Sequence, residues 1–241
     1  MRIIRAKNYE EMSIKAATVI SSQITMVPDS VLGLATGSTM EGAYKILGEW
    51  YTQGWIDYSG LKSVNLDEYV GLAADHDQSY HYYMNHHLFS KINMSAKNTN
   101  LPDGTAVDTD AECKRYDTVI ESFGHIDLQL LGLGPNGHIG FNEPADEFPT
   151  TTHCVDLTEE TIQANSRFFN DINDVPKKAL TMGIKSIMQA KSVLLCVNGS
   201  HKADALKAVL TGPITPQVPG SILQLHSDLI VVADEESLSK M

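Results

Sequence analysis

Leu128-Gln129-Leu130-Leu131-Gly132-Leu133-Gly134-Pro135-Asn136-Gly137-His138 decides how this chain is read, because an apolar strand runs straight into a glycine loop carrying a histidine. A short, almost unbroken apolar run of this kind predicts a strand over Leu128 to Leu133 that is buried on both faces, as in a parallel sheet. Glycines let backbone amides approach a ligand where a Cβ would collide, and catalytic groups collect on loops held by a rigid scaffold. The run continues Ile139-Gly140-Phe141-Asn142-Glu143-Pro144, so a carboxylate follows the histidine five residues later. Around a bend, that carboxylate can orient and polarise an imidazole for general acid or base work.

The same rhythm extends outward. Apolar strands are predicted at Arg2 to Arg5, Ser30 to Leu34, Lys62 to Leu66, Ser192 to Val197 and Leu229 to Ala233. Between them lie helix-like stretches at Tyr9 to Ile24, Thr39 to Tyr51, Ser79 to Phe89, Pro176 to Gln189 and Lys202 to Leu210. Alternation of this kind predicts an α/β fold, a doubly wound and mainly parallel sheet with helices on both faces. At 241 residues and 42% hydrophobic content, residues 1–241 are expected to form one domain. Residues 145–175 carry little periodic apolar pattern and are expected to form a lid.

Parallel sheets of this type bind ligands beyond the carboxyl ends of their strands. Four strand ends carry unusual polar groups: Thr36-Gly37-Ser38-Thr39, Asp67-Glu68-Tyr69, the glycine loop itself, and Asn198-Gly199-Ser200-His201-Lys202. Their coincidence at one edge is stronger evidence than any single motif.

Composition narrows the partners. A formal charge of −12, spread along the chain, argues against nucleic acid, whose phosphates need a basic face. An anionic small molecule remains compatible, since a few placed cations and amides suffice. Three scattered cysteines, Cys113, Cys154 and Cys196, without a CxxC pair, suggest a reducing, cytoplasmic setting. No apolar run approaches the ~18 residues that span a bilayer.

Each motif also has a plainer explanation. Gly33 to Thr39 reads as strand, glycine turn and helix start, which offers free amides and a positive dipole end to a phosphate; alternatively Ser38 or Thr39 merely caps the helix. Arg167 and Lys202 are candidate cations. Asp67 and Glu68 sit at a strand end, where alternation sends only one into the crevice; Asp67 is the candidate base, and a solvated turn acid is the alternative. Gly132-Leu133-Gly134-Pro135-Asn136-Gly137 matches the dinucleotide fingerprint GxGxxG, but Asn142 and Pro144 interrupt the helix that fingerprint requires. His81, His86 and His87 give no i, i+4 metal pair, and no catalytic metal is expected.

Taken together, these residues closely resemble the glucosamine-6-phosphate deaminases, over essentially the whole chain. The resemblance is carried by Gly33 to Thr39, Asn65 to Leu72, His76 to Tyr80, Gly132 to Pro144, Asn165 to Phe169 and Gly199 to Lys202, and is most specific in Gly137 to Pro144. It implies a modified Rossmann-like fold and conversion of glucosamine 6-phosphate and water to fructose 6-phosphate and ammonia, without a cofactor. It further implies that His138, assisted by Glu143 and Asn136, opens the sugar ring and that Asp67 moves a proton from C2 to C1. Thr36, Gly37, Ser38, Thr39, Arg167 and Lys202 match the family's phosphate-binding positions.

Three positions depart from that pattern. Asn136 stands where many members carry aspartate, and Met40 where a proline is common. The stretch Thr151 to Val155 lacks the basic residues of the hexameric, allosterically activated branch, so a monomer or small homo-oligomer without that activation is expected. A 6-phosphogluconolactonase on the related fold and a non-catalytic sugar-phosphate sensor remain the competing assignments.

Overall fold

The large sheet contains β1 (Arg2–Ala6), β2 (Val31–Leu34), β3 (Lys62–Asn65), β5 (Thr99–Asn100), β6 (Leu128–Leu131), β9 (Ser192–Val197) and β10 (Leu229–Asp234). A second, three-stranded sheet contains β4 (Asp67–Tyr69), β7 (His153–Asp156) and β8 (Lys178–Thr181). The computed structural model describes every residue except Arg167, Phe168 and Asn170, and every other side chain except those of Glu160, Ala164 and Asn165.

The large sheet runs in the order β1-β10-β9-β6-β2-β3-β5, and every neighbouring pair is parallel. From β2 the chain proceeds outward to β3 and β5; from β6 it proceeds the other way, to β9 and β10. The winding therefore reverses between β2 and β6, and the crevice of such a sheet opens at that reversal. Every residue of β2, β6 and β10 is buried. Since successive side chains point to opposite faces, both faces are covered, as the sequence predicts.

The helices around the sheet are α1 (Tyr9–Met26), α2 (Ser38–Thr52), α3 (Tyr80–His87), α4 (Thr109–Ser122), α5 (Glu159–Asn165), α6 (Ile184–Met188) and α7 (Ala203–Thr211). In α1, Asn8 caps the first turn by accepting from Glu11 N, and Glu10 and Glu11 complement the dipole. Its buried stripe of Met12, Ala16, Ala17, Ile20 and Ile24 has helical spacing, and each large member contributes roughly 1.5–3 kcal/mol by burial. Gln129, the polar residue of β6, is tolerated because Gly33 on β2 leaves room for it. A Cβ on Gly33 would fall 2.0 Å from Gln129 Oε1.

Part of the second half differs from the sequence reading. Pro176 to Gln189 is not one helix: Lys178–Thr181 is strand β8 and only Ile184–Met188 is helical. A short apolar run does not separate buried strand from buried helix by pattern, and here β8 is the antiparallel partner of β4, Asp67 opposite Thr181. Within 145–175, His153–Asp156 forms β7 and pairs with β8, so part of this segment is sheet. Helix α4 and strand β5 lie outside the elements predicted from sequence.

Candidate active site

A cavity of about 320 Å³ opens at the reversal between β2 and β6. Thr36 to Thr39, Asp67, Gly132 to Pro135, His138 and Lys202 all line it, so the polar groups of all four strand ends meet in one place.

At one end lies the start of α2. Gly37 adopts φ +95°, a conformation that favours glycine, and α2 begins at Ser38 with no side-chain cap. The capping alternative is therefore not what these hydroxyls do. Thr39 Oγ1 donates to Asn198 Oδ1 at 2.8 Å and accepts from Lys202 Nζ at 3.3 Å. Tyr83 and Tyr9 donate their hydroxyls to the carbonyls of Gly37 and Ser38, which fixes the turn. Uncapped amides, a helix dipole and an ammonium group form a site suited to a phosphate. Arg167, the other cation proposed from sequence, lies outside the described residues.

Asp67 and Glu68 separate as alternation predicts. Asp67 lines the cavity and is buried, and desolvation, reinforced by the charge of Glu68, pushes its carboxyl up to about 8. Glu68 turns to α3. Its Oε1 accepts from Tyr69 N and Tyr80 N, both at 2.9 Å, and its Oε2 accepts from His81 N at 3.0 Å and lies 3.1 Å from His81 Nδ1. With the Ser79 cap, this sets α3 so that Tyr80 reaches the cavity, its ring stacked on Phe141.

The histidine loop closes on itself, with Gly137 N donating to Gly134 O and Gly134 N to His138 O. No helix follows, so the dinucleotide fingerprint is a sequence coincidence here. A Cβ on Gly134 would sit 2.2–2.4 Å from the His138 ring atoms, and only glycine leaves that space. Past the histidine, the end of β8 and the residue after it anchor the loop: Phe141 N donates to Thr181 Oγ1, and Asn142 Nδ2 to Met182 O. The loop thereby abuts Asp67, since a Cβ on Gly140 would lie 3.4 Å from Asp67 Oδ2.

His138 Nδ1 lies 2.7 Å from Asn136 Oδ1 and 3.3 Å from Glu143 Oε2. Asn136 Nδ2 donates to Glu143 Oε2 at 2.8 Å, while His138 N donates to Asn136 Oδ1 at 3.2 Å. Flipping the amide would set its oxygen against the carboxylate and its NH₂ against a backbone N–H, so this orientation is enforced. Asn136 Oδ1 can only accept, and Nδ1 therefore carries the proton. Nε2, with no hydrogen-bond partner among the described residues, is left as the basic nitrogen of a side chain that lines the cavity. Burial alone would raise the Glu143 carboxyl, but the hydrogen bond and charge of His138, with donors from Thr161 and Asn136, hold it down at about 2.

Sequence reasoning did not single out Tyr80, Thr161 or His201, which also line the cavity. His201 neighbours Lys202 in a motif already noted. Thr161 has no local signal, because it is brought in by α5 from a region without periodic pattern.

Comparison with known proteins agrees with this architecture. Residues 7–231 match the family model for glucosamine-6-phosphate isomerases/6-phosphogluconolactonase. A glucosamine-6-phosphate deaminase of Lachnoclostridium phytofermentans is 60% identical over 232 residues, covering 96% of this chain and 98% of that one. Among solved structures, a monomeric glucosamine-6-phosphate deaminase superposes with a TM-score of 0.98 at 46% identity, covering 100% of both chains. The 6-phosphogluconolactonase of Trypanosoma brucei has a TM-score of 0.80 at 18% identity over 100% of this chain and 98% of that one, a likeness of fold alone. With the family model spanning nearly the whole sequence, the chain belongs to the glucosamine-6-phosphate isomerase/6-phosphogluconolactonase family.

Proposed function

We propose that this protein converts glucosamine 6-phosphate and water to fructose 6-phosphate and ammonia. The observation that carries this is the sharing of one cavity by a phosphate-suited end, a buried carboxyl and a histidine with a free Nε2. The high identity to deaminases over the full chain supports the same substrate.

The phosphate binds the amides of Gly37 to Thr39 and Lys202, with Arg167 as a further cation, and so fixes the other end of the sugar. His138 Nε2 takes the proton of the C1 hydroxyl and delivers one to the ring oxygen, opening the ring to the aldehyde. Glu143, through Asn136, stabilises the imidazolium formed between these transfers. Asp67 then removes the C2 proton while the C1 carbonyl oxygen takes a proton given up by the C2 ammonium, which yields an enolamine, and Asp67 returns its proton at C1 to leave a C2 iminium. Water adds to the resulting C2 iminium, and ammonia leaves. No cofactor is needed, because a proton beside a carbonyl is acidic enough for a carboxylate when the developing charge is stabilised. A neutral Asp67 would be a poor base, but the substrate's C2 ammonium favours the carboxylate beside it.

We also propose that residues 1–241 act as one domain, with a lid at about 145–175, and that the protein works as a monomer or small homo-oligomer in the cytoplasm. A monomeric deaminase of near-identical fold supports that assembly, and no described helix is long and apolar enough to cross a membrane. Without lysine or arginine in Thr151 to Val155, it responds to no N-acetylglucosamine 6-phosphate activation. A sigmoidal substrate curve made hyperbolic by that compound would contradict this. The function itself is tested by offering purified protein glucosamine 6-phosphate and 6-phosphogluconolactone separately. Ammonia release from the first is expected, and lactone hydrolysis without ammonia release would refute it.

A further inference from the structure

Glu143 has two carboxylate oxygens to satisfy in a buried position. Asn136 serves Oε2, and Thr161 Oγ1, from α5, donates to Oε1. The threonine hydroxyl is itself oriented: Thr158, the N-cap of α5, accepts from Thr161 N and donates its own hydroxyl to Thr161 Oγ1 at 3.1 Å. A continuous line of hydrogen bonds thus runs from Thr158 through Thr161, Glu143 and Asn136 to His138 Nδ1.

We propose that Thr161 is a positioning residue, which couples the seating of α5 to the tautomer and orientation of His138. The inference rests on the role given to His138 above. Glu143 Oε1 has no other hydrogen-bond partner among the described residues, so removing the Thr161 hydroxyl leaves a buried carboxylate oxygen unsatisfied. The carboxylate then rotates towards another donor and withdraws Oε2 from Asn136. Among the described residues the Asn136 amide is then held only through its oxygen, by His138 N–H at 3.2 Å, so the amide and the imidazole resting on it lose their anchor on the carboxylate. Thr161 also lines the cavity, so the residue that holds Glu143 in place is itself part of the pocket wall.

Thr161→Val keeps the shape of the side chain and removes the donor; Thr161→Ser restores it. For ammonia release from glucosamine 6-phosphate, Thr161→Val is expected to lose about tenfold or more in kcat with KM within about twofold, as for loss of one hydrogen bond to a charged group. Thr161→Ser should recover to within about threefold of the wild type. ¹⁵N NMR of His138 should report loss of the Nδ1–H tautomer in Thr161→Val and its return in Thr161→Ser. Thr161→Ala provides the same readouts if the valine variant folds poorly, as judged by circular dichroism. Wild-type kcat with an unchanged His138 signal would overturn the proposal, as would a raised KM at constant kcat, which would mark Thr161 as a substrate contact. If the wild type releases no ammonia, the functional assignment fails, whereas the NMR comparison still decides the role of Thr161.

Discussion

His138 Nδ1 lies 2.7 Å from the side-chain oxygen of Asn136, closer than the 3.3 Å that separates it from Glu143. A neutral amide, anchored on the carboxylate, therefore sets the histidine's tautomer, with Glu143 beside the same nitrogen. Asn136→Leu removes this clamp at nearly constant volume. It should lower kcat for ammonia release by about tenfold or more with little change in KM, measured by steady-state kinetics.

Gly134 is required by the imidazole packed on it. Gly134→Ala would place a methyl group 2.2–2.4 Å from the ring atoms and push the ring aside. A displacement of about 1 Å costs about 100-fold in turnover. The expected result is that loss in kcat with an intact circular dichroism spectrum; wild-type turnover would show that the ring's place is not critical.

How much of this was legible beforehand depends on the signal each part leaves. The parallel sheet and its crevice follow from apolar runs such as Leu128 to Leu131 that end in polar, glycine-rich turns. Asp67, Asn136, His138 and Glu143 sit in or beside those turns, and this is why they could be named. The second sheet was not legible. Strand β8 is four residues long and is made a strand by its partner β4, a tertiary cause that leaves no periodic trace. That unread strand and the residue after it present Thr181 and Met182 to the histidine loop, and the strand pairs with the one that carries Asp67, so it holds Asp67 and the histidine loop in register. Thr161 escaped for the same reason.

At the end of the cavity proposed to hold phosphate, Lys202 lies 3.3 Å from Thr39 Oγ1 beside the uncapped start of α2. Lys202→Ala should raise KM for glucosamine 6-phosphate about 10- to 100-fold and weaken competitive inhibition by inorganic phosphate in parallel, with a smaller effect on kcat. An unchanged KM would move the phosphate elsewhere.

Burial that makes Asp67 useful also makes it costly. Its carboxyl is raised to about 8, from 3.8 in the unfolded chain, so between those values the folded state holds a proton that the unfolded state has released. That contribution favours folding at low pH and is lost as pH rises towards 8. Asp67→Asn carries no such term. Its melting temperature should exceed that of the wild type by a margin that widens from about pH 4 to pH 8, as read by thermal denaturation across pH. Glu143 behaves oppositely: held at about 2 against 4.5 unfolded, it stabilises above pH 4.5 and loses that contribution as pH falls towards 2. A margin for Asp67→Asn that shrinks with rising pH would contradict the assigned burial.

The central claim is that Asp67 is the group that moves the proton from C2 to C1. Its most direct test is ammonia release from glucosamine 6-phosphate by the wild type and by Asp67→Asn, followed from pH 6 to pH 9. Wild-type kcat/KM should rise with pH through about 8, where the free carboxyl ionises, and the asparagine variant should be lower by several orders of magnitude at every pH. An Asp67→Asn variant that turns over near the wild-type rate would contradict Asp67 as the base.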